Sequence, residues 1–391
     1  MGNLNAVAEF GTSKIICLID SKASKNLDLP GTSCVRYEGM RKGAWINAET
    51  VLAGLELAVE TAEKRSSRQI HSIIVGLPAA CAAIVTKEVT MNVPNGMVTS
   101  ELITRMAESA KLNDPKLVLT DVRPVYFLDS AGELYVDLPI GLRTSRITAV
   151  FSYVYAKRKF VDDVTGMLDN MHIYVDRFIY EPYAQAVKFI PEKERLNAAI
   201  LLDVGYTETS VSVVYNDAVL ATSLIGVGGQ TFVNDLMTEM HVSAGTAEHL
   251  KRSHSFGISV NRGGTVYAKN EEGRMVPFNQ GEVSDVMEAR MYSFADSVKK
   301  AIAVFVKKKI ISRNTSVYLS GAGLSVRGAE VFLQNCLNKR VTTCKPKVRT
   351  TLAPVYYTAL MLLDNSRDTV YDLCGGVYHG QIKHKIGKIL R

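Results

Sequence analysis

"LLDVGYTETSVSVV", residues 201–214, runs apolar into Asp203, places Gly205 two residues on, and passes through a polar knot. It then returns to alternation at Val211 and Val213. The pattern predicts strand, tight turn, strand. A hairpin tip needs only a glycine and a small polar residue to turn, so the added acid and hydroxyls point to something seated on the tip. The layout recurs in "AVAEFGTSKIICLI" (residues 6–19), where Glu9-Phe10-Gly11 repeats the spacing of Asp203-Val204-Gly205. Two such copies in one chain predict duplicated lobes.

Between the two hairpins the texture changes. Residues 48–65 place Val51, Leu52, Leu55, Ala58, Val59 and Ala62 on one helical face, with Asn47 as N-cap. From about 84 to 160, one helix capped by Thr99 or Ser100 stands among four strand-like stretches, which predicts a small inserted α+β subdomain. A further helix and the segment "EPYAQAVKF" lead into the second hairpin. Residues 226–282 read as helices followed by a hairpin, and a long helix covers 283–309.

The chain has 391 residues, 47% apolar and 22% charged, an ordinary globular composition spread over several subdomains. A net charge of +7 among 46 basic and 39 acidic residues is too mild to argue for nucleic acid, and we expect no such partner. Six scattered cysteines without a CxxC pair fit a reducing compartment. Seven histidines without paired ligand spacing predict no protein-built metal site. The amino terminus carries no signal-peptide pattern, and no apolar run is long enough to span a bilayer. The body of the protein is therefore expected in the cytoplasm.

Five stretches now fall into an order: "EFGTSK", "EPYAQA", "DVGYTETS", "GVGGQTFVNDL" followed by "EHLKRSHS", and "LSGAGLSVRG". In that order they resemble the actin-like ATPase superfamily. The resemblance implies an α/β, two-lobed fold of ribonuclease H-like repeats that clamps ATP and Mg²⁺, with the two hairpins on the phosphates and the last glycine turn on the adenosine. The residue chemistry supports each role. Gly11, Gly205, Gly321 and Gly323, with Ala322 between the last two, let backbone amides approach an anion closely. Thr12, Ser13 and Thr209 offer hydroxyls and Lys14 a charge, while Tyr206 and Thr207 share the second tip. Gly228-Gly229 opens a helix whose N-terminus favours an anion. Glu9 and Asp203 would hold Mg²⁺ through water. Glu248, Lys251, Arg252 and Ser255 match the positions that contact adenosine. Glu181 matches the superfamily's water-orienting position and is the candidate general base.

Within the superfamily the chain is most similar to the bacterial cell-division family FtsA. "GMRKGAWINAETVLAGLELAVETAEK" looks like that family's stretch ahead of its insert, and "EPYAQA" like its EPLASA-type motif. The resemblance implies residues 1–83 and 161–195 as first lobe, 84–160 as the family's extra subdomain, and 196–225 with 283–364 as second lobe. It implies 226–282 as a smaller subdomain, 365–379 as linker and 380–391 as a membrane helix. It further implies a filament-forming, ATP-binding protein on the cytoplasmic face of the inner membrane at the division site. Such a protein tethers FtsZ through the FtsZ C-terminal peptide and recruits later divisome proteins such as FtsN. Glu9 in place of aspartate, Tyr206 and Thr207 in place of glycines, Ser210 in place of aspartate and Ala322 within the last glycine turn depart from the superfamily pattern. These departures predict weak or absent hydrolysis more than lost binding. Two rival readings share the fold: a pilus-assembly protein like PilM, and a sugar-kinase-type ATPase.

The last stretch, "GQIKHKIGKILR", is of a different kind. Ile382, Ile386, Ile389 and Leu390 fall at i, i+4, i+7 and i+8, while Lys383, Lys385, Lys388 and Arg391 occupy the flanks and the opposite face. That is the pattern of a helix lying in a membrane surface. Each aliphatic residue contributes roughly 1.5–3 kcal/mol when fully buried, and each basic residue about 1 kcal/mol near anionic lipid. Incomplete burial and ordering subtract from this, so one tail binds reversibly and a polymer of many tails gains avidity.

Overall fold

The computed structural model describes residues 5–20, 29–257, 263–346 and 352–366. The expected membrane helix, residues 380–391, and most of the linker before it lie outside the described residues.

Both sequence hairpins fold as read. Strands Asn5–Phe10 and Lys14–Asp20 pair antiparallel, with Glu9 opposite Ile16. Strands Ala199–Val204 and Thr209–Tyr215 do the same, with Asp203 opposite Ser210. Each hairpin extends to a third antiparallel strand, Gly31–Arg36 in one lobe and Ala218–Ile225 in the other. On its other side the first strand of each hairpin takes a parallel neighbour, Ser72–Leu77 or Val317–Ser320. A fifth parallel strand, Tyr174–Tyr180 or Val341–Thr343, completes each sheet. The two five-stranded sheets therefore share one topology, and the fold is actin-like.

Parallel neighbours require crossovers, and helices supply them. Helix Ala48–Ser66 crosses in the first lobe. The Asn47 carboxamide oxygen accepts from the Glu49 and Thr50 amides, as its N-cap position demands. Val51, Leu55, Ala58, Val59 and Ala62 are buried; Gly54 shares that face and Leu52 is only half-buried. The corresponding crossover in the second lobe is the long helix Gln280–Lys307, which starts three residues earlier than its periodicity indicates because Asn279 caps it.

After its fifth strand each lobe hands a helix towards the other. Helix Glu181–Phe189 contacts the second lobe's meander, while helix Tyr357–Asn365 packs on the first lobe's hairpin. Leu360, Met361, Leu362 and Leu363 are fully or almost fully buried in the first lobe's core. Chain order groups this helix with the second-lobe segment 283–364, whereas its side chains belong to the first. Leucine burial there contributes roughly 1.5–3 kcal/mol per side chain, so the exchange couples the lobes.

The insert is a four-stranded sheet in the order 82–92, 146–157, 117–128, 134–135, with helix Ser100–Ser109 capped by Thr99 on one face. Its core holds Leu102, Ile103, Met106, Phe127 and Phe151. Helices Gly229–Met240 and Ala244–Ser253 with the hairpin Thr265–Lys269/Met275–Asn279 form the smaller unit on the second lobe. Among the described residues, no helix is long and apolar enough to cross a membrane.

Candidate functional site

The two hairpin tips turn by the same bond. The Gly11 amide donates to the Lys14 carbonyl at 2.9 Å and the Gly205 amide to the Glu208 carbonyl at 3.0 Å. The tips also meet across the lobes, where the Thr207 amide donates to Thr12 Oγ1 at 3.2 Å. Between them opens a cleft of about 960 Å³, a size suited to a bound cofactor.

Gly11, Thr12, Ser13 and Lys14 line the cleft from one side, and Asp203, Gly205 and Tyr206 from the other. Glu248, Lys251 and Arg252 face it from helix Ala244–Ser253, and Gly321, Ala322 and Gly323 close one end. Thus both hairpins, the helix and the last glycine turn converge on one space. Thr207, Gly228, Gly229 and Ser255 do not line it.

Gly228 and Gly229 have a different part from the one their sequence motif indicates. The Gly229 amide donates to the Gly205 carbonyl at 2.9 Å and the Gln230 amide to the Tyr206 carbonyl at 2.7 Å. The first amides of this helix are thereby occupied by the hairpin rather than turned to an anion. A Cβ on Gly229 would fall 2.6 Å from the Gly323 carbonyl oxygen, and one on Gly323 only 2.0 Å from that of Gly205. Three loops of the second lobe are interlocked backbone to backbone, which only glycine permits. Thr209 is also turned away from the cleft, its hydroxyl donating to the Val227 carbonyl at 2.7 Å. Ser255 forms a short backbone bridge with Arg327, tying the end of the helix region to the turn after Gly323.

Five carboxyl groups line the cleft, Glu9, Glu181, Asp203, Glu208 and Glu248, and the first three form a cluster in which Glu9 and Asp203 act on Glu181. Glu9 Oε2 accepts from the Ala359 amide at 3.0 Å, and Asp203 Oδ2 accepts from the Gln185 carboxamide at 2.9 Å. Burial, reinforced by the Asp203 charge, pushes Glu9 up to about 8. Burial followed by the charges of Glu9 and Asp203 holds Glu181 well above the ordinary carboxylate range. Burial also raises Asp203, opposed by its bond from Gln185. Such a cluster in a cleft is the mark of a functional site. Glu181 Oε1, Ser210 Oγ and the neighbouring Thr207 Oγ1 are buried without a hydrogen-bond partner, a costly state for a polar atom unless a ligand completes it.

Lys251 is almost fully buried, and burial lowers its affinity for a proton. It pairs with Glu248 at 2.9 Å and donates to the Gly229 carbonyl at 3.4 Å. Burial alone would raise Glu248, but its bonds to Lys251 and Arg252 leave it below the ordinary range. Arg252 pairs with the same carboxylate at 2.6 Å.

Four contributors escape sequence reasoning. Arg36 lines the cleft beside Lys14, opposite it in the strand register. Tyr37 donates its hydroxyl to the Gly11 carbonyl at 2.7 Å, and Glu208 lines the second tip. Gln185 lies behind Asp203. Glu208 lies within the quoted hairpin and Gln185 within "EPYAQA", but neither pattern assigns its residue a role.

The donor set fits a magnesium nucleotide. Lys14, Arg36 and Arg252 supply positive charge, and Thr12, Ser13 and Ser210 supply hydroxyls. Asp203 stands close enough to Glu9 for its charge to raise the proton affinity of Glu9, a repulsion that a hydrated cation would relieve.

Fold and cleft define an actin-like, two-lobed protein. A family model described as cell division protein FtsA matches residues 200–360. Cell division protein FtsA of Enterococcus hirae is 21% identical over 379 residues, covering 93% of this chain and 84% of that protein. FtsA of Neisseria meningitidis is 24% identical over 250 residues, 63% of this chain and 60% of that protein. Among solved structures, the PilM–PilN type IV pilus biogenesis complex aligns with a TM-score of 0.62 at 14% identity, over 93% of this chain and 99% of that one. MreB5 of Spiroplasma citri bound to ADP aligns with a TM-score of 0.52 at 10% identity, also over 93% and 99%. The structural likenesses carry the fold alone. The sequence relatives carry the family resemblance, and it is to FtsA.

Proposed function

We propose that this protein is an ATP-binding, actin-like filament former of bacterial cell division. In this reading it polymerises at the cytoplasmic face of the cell membrane and tethers the FtsZ ring there through the FtsZ C-terminal peptide. Later divisome proteins such as FtsN are then recruited to it. The observation that carries the reading is the convergence of Glu9–Lys14 and Asp203–Tyr206 on one cleft, in a chain whose relatives are FtsA proteins. ATP with Mg²⁺ would draw the two tips together and favour the shape that polymerises.

Binding without fast turnover suits the site. Tyr206 and Thr207 crowd the second tip, and burial beside the charges of Glu9 and Asp203 favours the protonated form of Glu181, which disfavours it as a base for activating water. The tail, Ile382 to Arg391, would supply the membrane contact.

The test uses the full chain and a form ending at residue 379. With ATP and Mg²⁺, the full chain should co-sediment with anionic liposomes and form filaments on a lipid monolayer, and the shortened form should stay in solution. Equal sedimentation of both forms removes the tail from the membrane role, and absence of filaments under all nucleotide conditions removes polymerisation. The pilus-assembly reading draws on the PilM likeness. It predicts no affinity for an FtsZ C-terminal peptide, so peptide binding decides between the two.

A further inference from the structure

We propose that Gln185 is a positioning residue: its side-chain amide fixes the orientation of Asp203, and through Asp203 the grip on the cation that accompanies the nucleotide. The inference rests on the magnesium-nucleotide reading of the cleft. Gln185 lies one turn after Glu181 on helix Glu181–Phe189 and is fully buried. Its carboxamide nitrogen donates to Asp203 Oδ2 at 2.9 Å and to Thr358 Oγ1 at 3.3 Å. Its carboxamide oxygen accepts from the Ser320 hydroxyl at 2.6 Å.

The chemistry of the partners fixes which way the amide points. A carboxylate only accepts, so the nitrogen faces Asp203 and the oxygen faces Ser320, whose hydroxyl must then donate. Ser320 and Asp203 are lateral neighbours on adjacent parallel strands, and one side chain from outside the sheet spans both. Asp203 Oδ1 lies beside Gly321, where a Cβ would approach it to 2.5 Å. The carboxylate is thus held by a donor on one oxygen and given room by a glycine on the other. The first hairpin is treated in parallel, because the Ala359 amide that holds Glu9 follows directly on Thr358, which Gln185 also touches. The start of helix Tyr357–Asn365 therefore registers both acids, one directly and one through Gln185. Groups that orient a cation's ligands in this way commonly govern affinity without touching the cation.

The experiment measures ATP affinity of the full chain with Mg²⁺ and again with excess chelator. Gln185→Met keeps the side-chain length and removes the amide. It should cut the Mg²⁺-dependent gain in affinity about tenfold, while the chelated affinity stays within twofold. In an Asp203→Asn background Gln185→Met should add no further loss, since the effect passes through Asp203. Ser320→Ala frees the amide without removing it and should cut the gain in the same direction by less. If Gln185→Met does not fold, Ser320→Ala decides alone, and an unchanged gain there overturns the proposal. A folded Gln185→Met with an unchanged gain overturns it, as does an equal loss with and without Mg²⁺ or a full additional loss on Asp203→Asn. Wild-type protein whose ATP affinity ignores Mg²⁺ overturns the cleft reading and this inference together. A normal wild-type gain with an insensitive variant removes only Gln185.

Discussion

Gly323 shows how narrowly a single position is specified. A Cβ there would stand 2.0 Å from the Gly205 carbonyl oxygen, a distance no side chain tolerates. Gly323→Val must push the last glycine turn off the second hairpin, at a cost on the order of 3 kcal/mol or more. We expect a large fall in melting temperature together with lost ATP binding, read by thermal denaturation and calorimetry. Gly166 provides the contrast, because it lies in helix Arg158–Asn170 with nothing within 4 Å of a built Cβ. Gly166→Ala should stabilise the protein by about 0.5–1 kcal/mol and leave ATP affinity alone. Glu9 gives a pH signature. Its folded value, about 8, lies above the ordinary 4.5, so between those values the folded state holds a proton that the unfolded state has released. Stability of the nucleotide-free protein should therefore fall as pH rises from about 5 to about 8, with the full penalty present above that range. Glu9→Gln should flatten this slope in denaturant titrations across the range, and an unchanged slope would assign it to another group.

Helix Ala244–Ser253 is the element whose purpose depends on one ion pair. Lys251 is wedged between Glu248 and the Gly229 carbonyl, so it fastens the helix to the interlocked glycines and also faces the cleft. Lys251→Ala leaves Glu248 half-buried with only the exposed Arg252 as partner. Breaking a buried pair costs more than the pair contributes, and we expect weaker ATP binding with a loss of about 1–3 kcal/mol in stability. Isothermal titration and thermal melts separate the two effects. The elements themselves are legible in the sequence wherever local chemistry sets them. The acid-x-glycine hairpins, the Asn47 and Thr99 caps and the apolar face of helix Ala48–Ser66 all follow from turn preference and periodicity. Relations decided by distant packing are not legible. Nothing local says that Gly228-Gly229 docks on the Gly205 loop instead of facing an anion. Gln185 reads as one polar residue in a short helix until Asp203 and Ser320 are brought beside it, and Leu360–Leu363 give no hint of which lobe they enter.

At the scale of the whole molecule, the insert does more than decorate the first lobe. Val125 and Val150 of its sheet bury themselves with Ala218 of the second lobe's edge strand. Ser152 Oγ donates to the Val219 carbonyl, and Thr86 Oγ1 donates to the Leu220 carbonyl at 2.9 Å. On the interlobe side, Arg123 of the insert stacks 4.0 Å over the ring of Tyr183, two residues after Glu181. The insert thus grips the second lobe's meander at its outer strand, while the same meander carries the Asp203 tip at its inner end. An opening that separates the insert from this meander would have to strip the patch. Ala218→Glu places a carboxylate among apolar side chains with no partner to accept it. It should detach the insert from the second lobe at a cost of about 2–4 kcal/mol. The detached form should show a larger radius of gyration in small-angle scattering and faster proteolysis between residues 82 and 157. Because the freed lobes must be drawn together from further apart, ATP affinity should fall even though no cleft residue has changed. Unaltered scattering and affinity in a folded variant would mean that the exchanged helices Glu181–Phe189 and Tyr357–Asn365 hold the lobes by themselves.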